Sequence, residues 1–191
     1  MPQPRGTPHR RPANEVGHAH ELTFSCYRRY PFLSAERTCR WLVQAIEDAR
    51  LTLDFALWAF VFMPDHVHMI VRPRRPGCRV SEILRAVKGP VGRSALGFIE
   101  ENRPDWLARV TRRRGDRSEK LFWQSGGGFD RNVWEPRTLI SMVDYIHANP
   151  VRQGLAERPR DWPWSSAGWF EGVPGCDLIP DPIPPEWIPQ D

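Results

Sequence analysis

The chain has 191 residues, 40% of them apolar, with a formal net charge of +4; this suits one globular domain with a real core and excludes a disordered chain. No run nears the roughly 18–20 apolar residues that span a bilayer, and the Pro- and Arg-rich start has no apolar stretch of the signal-peptide kind, so a cytoplasmic protein without a membrane partner is expected. The four cysteines, Cys26, Cys39, Cys78 and Cys176, are far apart and form no CxxC pair, which favours reduced thiols over a zinc site.

Residues 1–17 hold four prolines and three arginines and read as a disordered basic arm. The folded domain is expected over 18–172. The segment ELTFSCYRR (21–29) alternates and is aromatic, as a strand does. Ser34 is placed as the cap of a helix with Trp41, Leu42, Ala45, Ile46 and Ala49 on its apolar face. DFALWAFVFM (54–63) reads as a strand buried on both sides. Pro64 and Asp65 make a tight turn into a partner strand, HVHMIVRP (66–73). Ser81 is placed as the cap of a second helix over about 81–101. The order β-α-β-β-α matches an α+β, ferredoxin-like or RRM-like plan, an antiparallel sheet with helices on one face. Beyond it, 102–120 reads as basic and irregular, LFWQ (121–124) as a short strand completing the sheet, and SGGGFDRN (125–132) as a flexible loop. Pro136 to Asn149 reads as a third helix, stopped by Pro150. Residues 173–191, with six prolines, read as an extended tail.

Of the 27 basic residues only Lys88 and Lys120 are lysines. Arginine forks match phosphate oxygens, although codon bias in a GC-rich genome also raises arginine. Clustering says more: seven basic residues and one acid, Glu82, lie between Arg72 and Arg93, and Arg109 to Arg117 contains three consecutive arginines. Such patches suit a polyanion as well as a solvated face.

His66 and His68 are two apart on a predicted strand, so their side chains leave the same face and two imidazoles stand side by side as a metal requires. Val67 points the other way, into the core. A second HxH, His18 and His20, lies at the edge of the arm without a rigid support and reads as structural or solvated, though His20 begins a strand of the same sheet. On the third helix Tyr145 and Asn149 are four apart and share a face. One offers a hydroxyl and the other a carbonyl oxygen. His147 points elsewhere around that helix.

PDHVHMIV, then VDYIHANPVRQGL about 80 residues on, then WPWSS, together resemble the single-tyrosine transposases of the HUH superfamily, and among them the REP-associated tyrosine transposases. The resemblance spans roughly residues 20–170. It implies an HUH-endonuclease fold in which His66, His68 and Asn149 hold a divalent ion, Mg²⁺ or Mn²⁺, while Tyr145 is the nucleophile. It also implies single-stranded or hairpin DNA as substrate, a 5′-phosphotyrosine intermediate, and a monomer or homodimer. Phe122-Trp123-Gln124 matches a family segment before the nucleophile helix, but the chain then departs with Ser125-Gly126-Gly127-Gly128. Arg28, Arg29, Arg85, Lys88, Arg93 and Arg131 are candidates to hold the DNA backbone, and Trp123 and Gln124 to contact bases.

Two rivals are weaker. Metallo-β-lactamase-like hydrolases follow HxH with x-D-H, whereas Met-Ile-Val follows His68, and an amidohydrolase barrel needs about 250 residues. A non-catalytic nucleic-acid-binding protein on the same fold would have no need of an intact set of Tyr145, His66, His68 and Asn149.

Overall fold

Strand alternation sorts the apolar residues onto two faces of one sheet. The computed structural model describes residues 17–190, so the expected arm lies, apart from Gly17, outside the described residues. Strands β1 (Ala19–Ser25), β2 (Phe55–Met63), β3 (His66–Pro73) and β6 (Phe129–Val133) form an antiparallel sheet in the order β2-β3-β1-β6. One face carries Leu22, Phe24, Phe60, Phe62, Val67, Met69 and Val71, packed against helices α1 (Glu36–Leu53) and α2 (Val80–Asn102). This is the expected ferredoxin-like pairing of strands and helices. The other face carries Trp58, Val61, Met63, Ile70 and Val133 and receives helix α4 (Pro136–His147) through Leu139, Met142, Val143 and Ile146. Their spacing is a single helical stripe, and each such side chain contributes about 1.5–3 kcal/mol when fully buried.

The strand completing the sheet is not LFWQ. Residues 121–124 make only an isolated bridge, Trp123 to Cys26, because both Phe122 and Trp123 turn inward as core residues. The fourth strand is β6, drawn from the segment expected to be a loop. Its glycines explain the misreading: Gly128 has φ +79°, and a Cβ there would lie 2.2 Å from the Thr23 carbonyl oxygen. Only glycine lets the chain pass β1 at that distance. The basic stretch after α2 is ordered as well. A short helix α3 (Leu107–Val110) leads into a separate two-stranded ribbon, β4 (Thr111–Arg114) and β5 (Arg117–Lys120). Ala35 and Arg79, rather than Ser34 and Ser81, occupy the two helix N-caps; a 3₁₀ turn over Phe32–Ser34 seats Leu33 in the core and delays the first helix. Nor does Pro150 end the third helix, since it lies in the first turn of α5 (Asn149–Arg152), where its missing N–H costs nothing.

Strand β2 is an edge strand yet buried along its whole length. Two segments cover it. Phe62 N–H donates to Trp164 O (2.8 Å) and Ser166 N–H to Phe60 O (3.0 Å), so WPWSS (162–166) closes half the edge. Asp181 closes the rest: its N–H donates to Leu57 O (2.7 Å), and its carboxylate accepts from Leu57 N–H (2.8 Å), Arg50 (2.8 Å) and Arg74 (2.5 Å). The Pro-rich segment expected to be a tail is therefore a docked strap, with Leu178 and Trp187 buried. Covering an edge in this way removes a template for aggregation. All four cysteines are free thiols.

Candidate active site

The turn at Pro64-Asp65 starts β3 on His66, and strand register does the rest. His66 lies opposite Ser25 and Met63, and His68 opposite Thr23 and Val61. Both imidazoles leave the sheet on the α4 side, Val67 on the other. The rings are 4.9 Å apart between centroids and nearly perpendicular. Each ring is held through Nδ1: His66 to Asp65 Oδ1 at 2.6 Å, His68 to Thr23 Oγ1 at 2.8 Å. Asp65 is itself gripped by Arg29 (2.7 Å), which also donates to Ser25 Oγ. Nε2 is then the nitrogen each ring can offer to a metal, with its partner nitrogen fixed as metal-binding histidines require. Burial pushes His68 down to about 4, with His66 and Arg29 adding to the effect. Burial also lowers His66, outweighing the opposing pull of Asp65. Burial thus favours the neutral form of both rings, the form that binds metal.

Helix α4 brings Tyr145 of the same chain to within 6.5 Å of His68 between ring centroids, edge to face. Tyr145 is 47% exposed, open to the approach of a large substrate. Asn149 is buried at the start of α5, and its Nδ2 donates to Tyr145 O (3.2 Å) and Ile146 O (3.3 Å). The amide is thus pinned by its nitrogen, leaving Oδ1 as the atom it can present. Among the described residues no three His, Cys, Asp or Glu side chains form a metal cluster, and a neutral oxygen donor could complete a site with the two imidazoles. Asn149 has that chemistry, and two imidazoles plus an amide oxygen leave coordination positions for substrate.

The position of α4 is fixed from behind. His147, on its inner side, is hydrogen-bonded to Ser166 Oγ at 2.7 Å, and burial lowers its pKa to about 4. Ser166 accepts in turn from Phe60 N–H (2.9 Å). WPWSS therefore ties the tyrosine helix to β2.

The sequence-derived DNA contacts divide. Arg29 serves Asp65. Arg131 stands on β6 opposite Glu21, on the site face. Arg28 is exposed beside the site with φ 53°, and Gln124, also exposed, accepts from its N–H (3.5 Å). Arg85, Lys88 and Arg93 belong to α2, across the sheet from the imidazoles; Lys88 is tied to Gly126 O (2.9 Å), and burial lowers its pKa. Trp123 is buried, edge-on to Phe24, with Nε1 donating to Lys88 O, so it offers no stacking face. His20 points to Asp130 (2.9 Å) on the Leu22–Phe24 face and does not join the site.

Four residues join that sequence reasoning left aside. Asp65 orients His66. Glu21 is buried with Oε1 3.9 Å from His68 Nδ1; desolvation raises its pKa against the pull of Arg131. Alternation with Thr23 was the available signal for it. Arg152 lays its guanidinium over the Tyr145 ring at 4.7 Å, and Phe129, 56% exposed, stands opposite Thr23.

The ferredoxin-like sheet thus sets a pair of imidazoles beside a helix-borne tyrosine within one chain. The chain belongs to the family of IS200-like transposases, whose family model matches residues 16–149 and so takes in His66, His68, Tyr145 and Asn149. It is 26% identical over 117 residues to a Haemophilus influenzae protein provisionally named a REP-associated tyrosine transposase, covering 59% of this chain and 58% of that protein's length. It shares its fold with a solved REP-associated tyrosine transposase bound to a REP hairpin, at TM-score 0.67 and 21% identity over 97% of this chain and 99% of the other. A Deinococcus radiodurans protein provisionally described as a transposase aligns at TM-score 0.44 and 18% identity, over 72% of this chain and 95% of that one. Among the described residues no helix is long and apolar enough to cross a membrane.

Proposed function

We propose that the protein nicks and rejoins single-stranded DNA flanking a hairpin, with Tyr145 as nucleophile and a divalent ion, Mg²⁺ or Mn²⁺, held by His66, His68 and Asn149. The observation that carries this reading is the approach of Tyr145 to His68 within one chain, with both imidazoles clamped through Nδ1. The ion, when bound, supplies Lewis-acid polarisation of the scissile phosphate. Tyr145 Oη attacks phosphorus, forming an O–P bond as the bond to the 3′ oxygen breaks. The phenol proton passes to solvent, which the half-exposed ring reaches, and the leaving oxygen takes up a proton as a free 3′-OH. The 5′-phosphotyrosine conserves the bond energy, so a second 3′-OH reverses the step and joins strands without ATP. Arg152, stacked on the ring, holds it in place and adds positive charge beside the incoming phosphate. The approach of Tyr145 to His68 within one chain supports a site built from a single subunit. The hairpin carried by the solved relative of the same fold supports this substrate class.

Incubation with labelled hairpin DNA and Mn²⁺ should give a covalent adduct on a denaturing gel that disappears in Tyr145→Phe. An adduct that persists in that variant rejects Tyr145 as nucleophile. Absence of an adduct with every hairpin tried supports a binding protein that has kept the fold.

A further inference from the structure

The proposed chemistry leaves one strongly basic element unused. Ribbon β4–β5 stands apart from the main sheet, and four of the six residues from Arg112 to Arg117 are arginines. Charge pairing changes along its length. Toward the base, Arg112 is paired with Glu119 (2.6 Å) and Lys120 reaches Glu100 on α2 (2.6 Å). At the tip, Arg114 lies directly opposite Arg117, and Arg113 projects from the ribbon's other face. All three are exposed, and none has an ion-pair partner among the described residues. Like charges directly opposed across an antiparallel pair are destabilising. A polyanion laid along the tip would relieve that repulsion.

The ribbon's base is anchored at the end of the sheet that carries His66, through rings that pack with the α1–α2 side. Leu121 N–H donates to Val110 O (2.8 Å). Trp106 packs edge-on to Tyr30 (5.3 Å) and Phe32 (5.7 Å), and Phe32 stacks on Phe122 (5.0 Å). Trp123 bridges Cys26, one residue beyond Ser25, the cross-strand neighbour of His66. The ribbon therefore springs from the end of the sheet that holds His66 and extends for about 13 Å at ~3.3 Å per residue.

Its composition selects the form of the polyanion. Binding of unpaired strands relies on exposed aromatic rings on which bases stack, and residues 111–120 contain no aromatic. A two-stranded ribbon fits the ~12 Å major groove of B-form DNA, and guanidinium forks match the phosphates at its walls. Two exposed rings, Phe129 and Tyr145, stand instead on the site face. We infer that ribbon β4–β5 grips the double-helical stem of a DNA whose unpaired flank enters the His66–His68–Tyr145 site, an inference that rests on the proposed reading of that site.

The test is fluorescence-anisotropy binding of full-length protein in a Tyr145→Phe background. One probe is a DNA hairpin with a stem of about one and a half helical turns and an unpaired flank; the other is a strand of equal length scrambled to abolish pairing. The triple variant Arg113→Ala, Arg114→Ala, Arg117→Ala should flatten the salt dependence of hairpin binding, reducing the slope of log K against log salt by about 2.7 for three lost phosphate contacts. Over a roughly fourfold salt range the parent then loses about fortyfold more affinity than the variant. Affinity for the unpaired strand should be unchanged. Arg→Lys at the same three positions should restore the slope, because a phosphate contact needs the charge, and this recovery separates charge loss from misfolding. Equal losses on both probes, an unchanged hairpin slope, or failure of lysine to restore it would overturn the inference. Adduct formation by the Tyr145 protein is scored separately, so its absence counts against the catalytic reading alone.

Discussion

Gly128 is where fold and site meet most tightly, and substituting it tests both. An alanine Cβ there would sit 2.2 Å from Thr23 O, on a backbone with φ +79°. Gly126, two residues earlier, also has positive φ (+98°), but nothing lies within 4 Å of its would-be Cβ. Left-handed backbone costs a non-glycine residue about 1–2 kcal/mol, and both substitutions bear that cost. Only Gly128→Ala also forces apart β1 and β6, an overpacking penalty of about 1–3 kcal/mol. Gly128→Ala should therefore lose about 3 kcal/mol and Gly126→Ala about 1 kcal/mol. In a domain of this size the first corresponds to a Tm drop of roughly 6–12 °C, read by thermal melting or urea titration. Thr23 is also the residue whose hydroxyl holds His68 Nδ1 (2.8 Å), so Mn²⁺ affinity should fall in Gly128→Ala and hold in Gly126→Ala. Equal destabilisation by the two substitutions would refute the close-approach argument and reduce both glycines to backbone freedom.

Three further outcomes follow from individual contacts. Asp65→Ala removes the carboxylate that orients His66 and should weaken Mn²⁺ binding about 10- to 100-fold with the fold intact; unchanged affinity in a metal titration would remove His66 from the ligand set. Arg152→Ala strips the guanidinium from the Tyr145 ring and should slow single-turnover adduct formation about tenfold, a loss of roughly 1.4 kcal/mol, with no more than a small change in Tm because Arg152 is exposed; a full-rate variant would show that the stacking is incidental. Burial raises the Cys26 and Cys39 thiols to about 12, some three pKa units above an ordinary thiol. At pH 8 each should react with a thiol reagent about a thousandfold more slowly than in the unfolded chain, with half-buried Cys176 modified first; rapid labelling of all four under native conditions would contradict the packing.

Local chemistry settled a good deal before any tertiary contact was considered. HVH after a Pro-Asp turn sends both imidazoles off the same side, because side chains in a strand alternate whatever the strand packs against. The spacing of Tyr145 and Asn149 puts both on one side of a helix for the same kind of reason. The strand-helix-strand-strand-helix order followed from apolar periodicity and predicted three of the four strands of the sheet. What periodicity misses is any element whose reason lies elsewhere in the chain. SGGGFDRN looks like a loop, yet its last residues form β6, since Gly128 is demanded by the Thr23 carbonyl opposite it and not by a turn of its own. LFWQ looks like a strand but turns inward because Phe24 and Phe32 offer its rings a core. The Pro-rich end looks like a tail until Asp181 meets Arg50, Arg74 and the open edge of β2.

The sequence by itself thus determined which side chains could do chemistry and which face of its own element each occupies, because helix and strand periods are properties of the local backbone. Only the tertiary structure decided that Tyr145 reaches the histidines of its own chain, that Asp65 and Thr23 hold those rings, and that the arginines of α2 lie across the sheet from them. Those are distances between residues far apart along the chain, and they exist only once the sheet has brought its strands together.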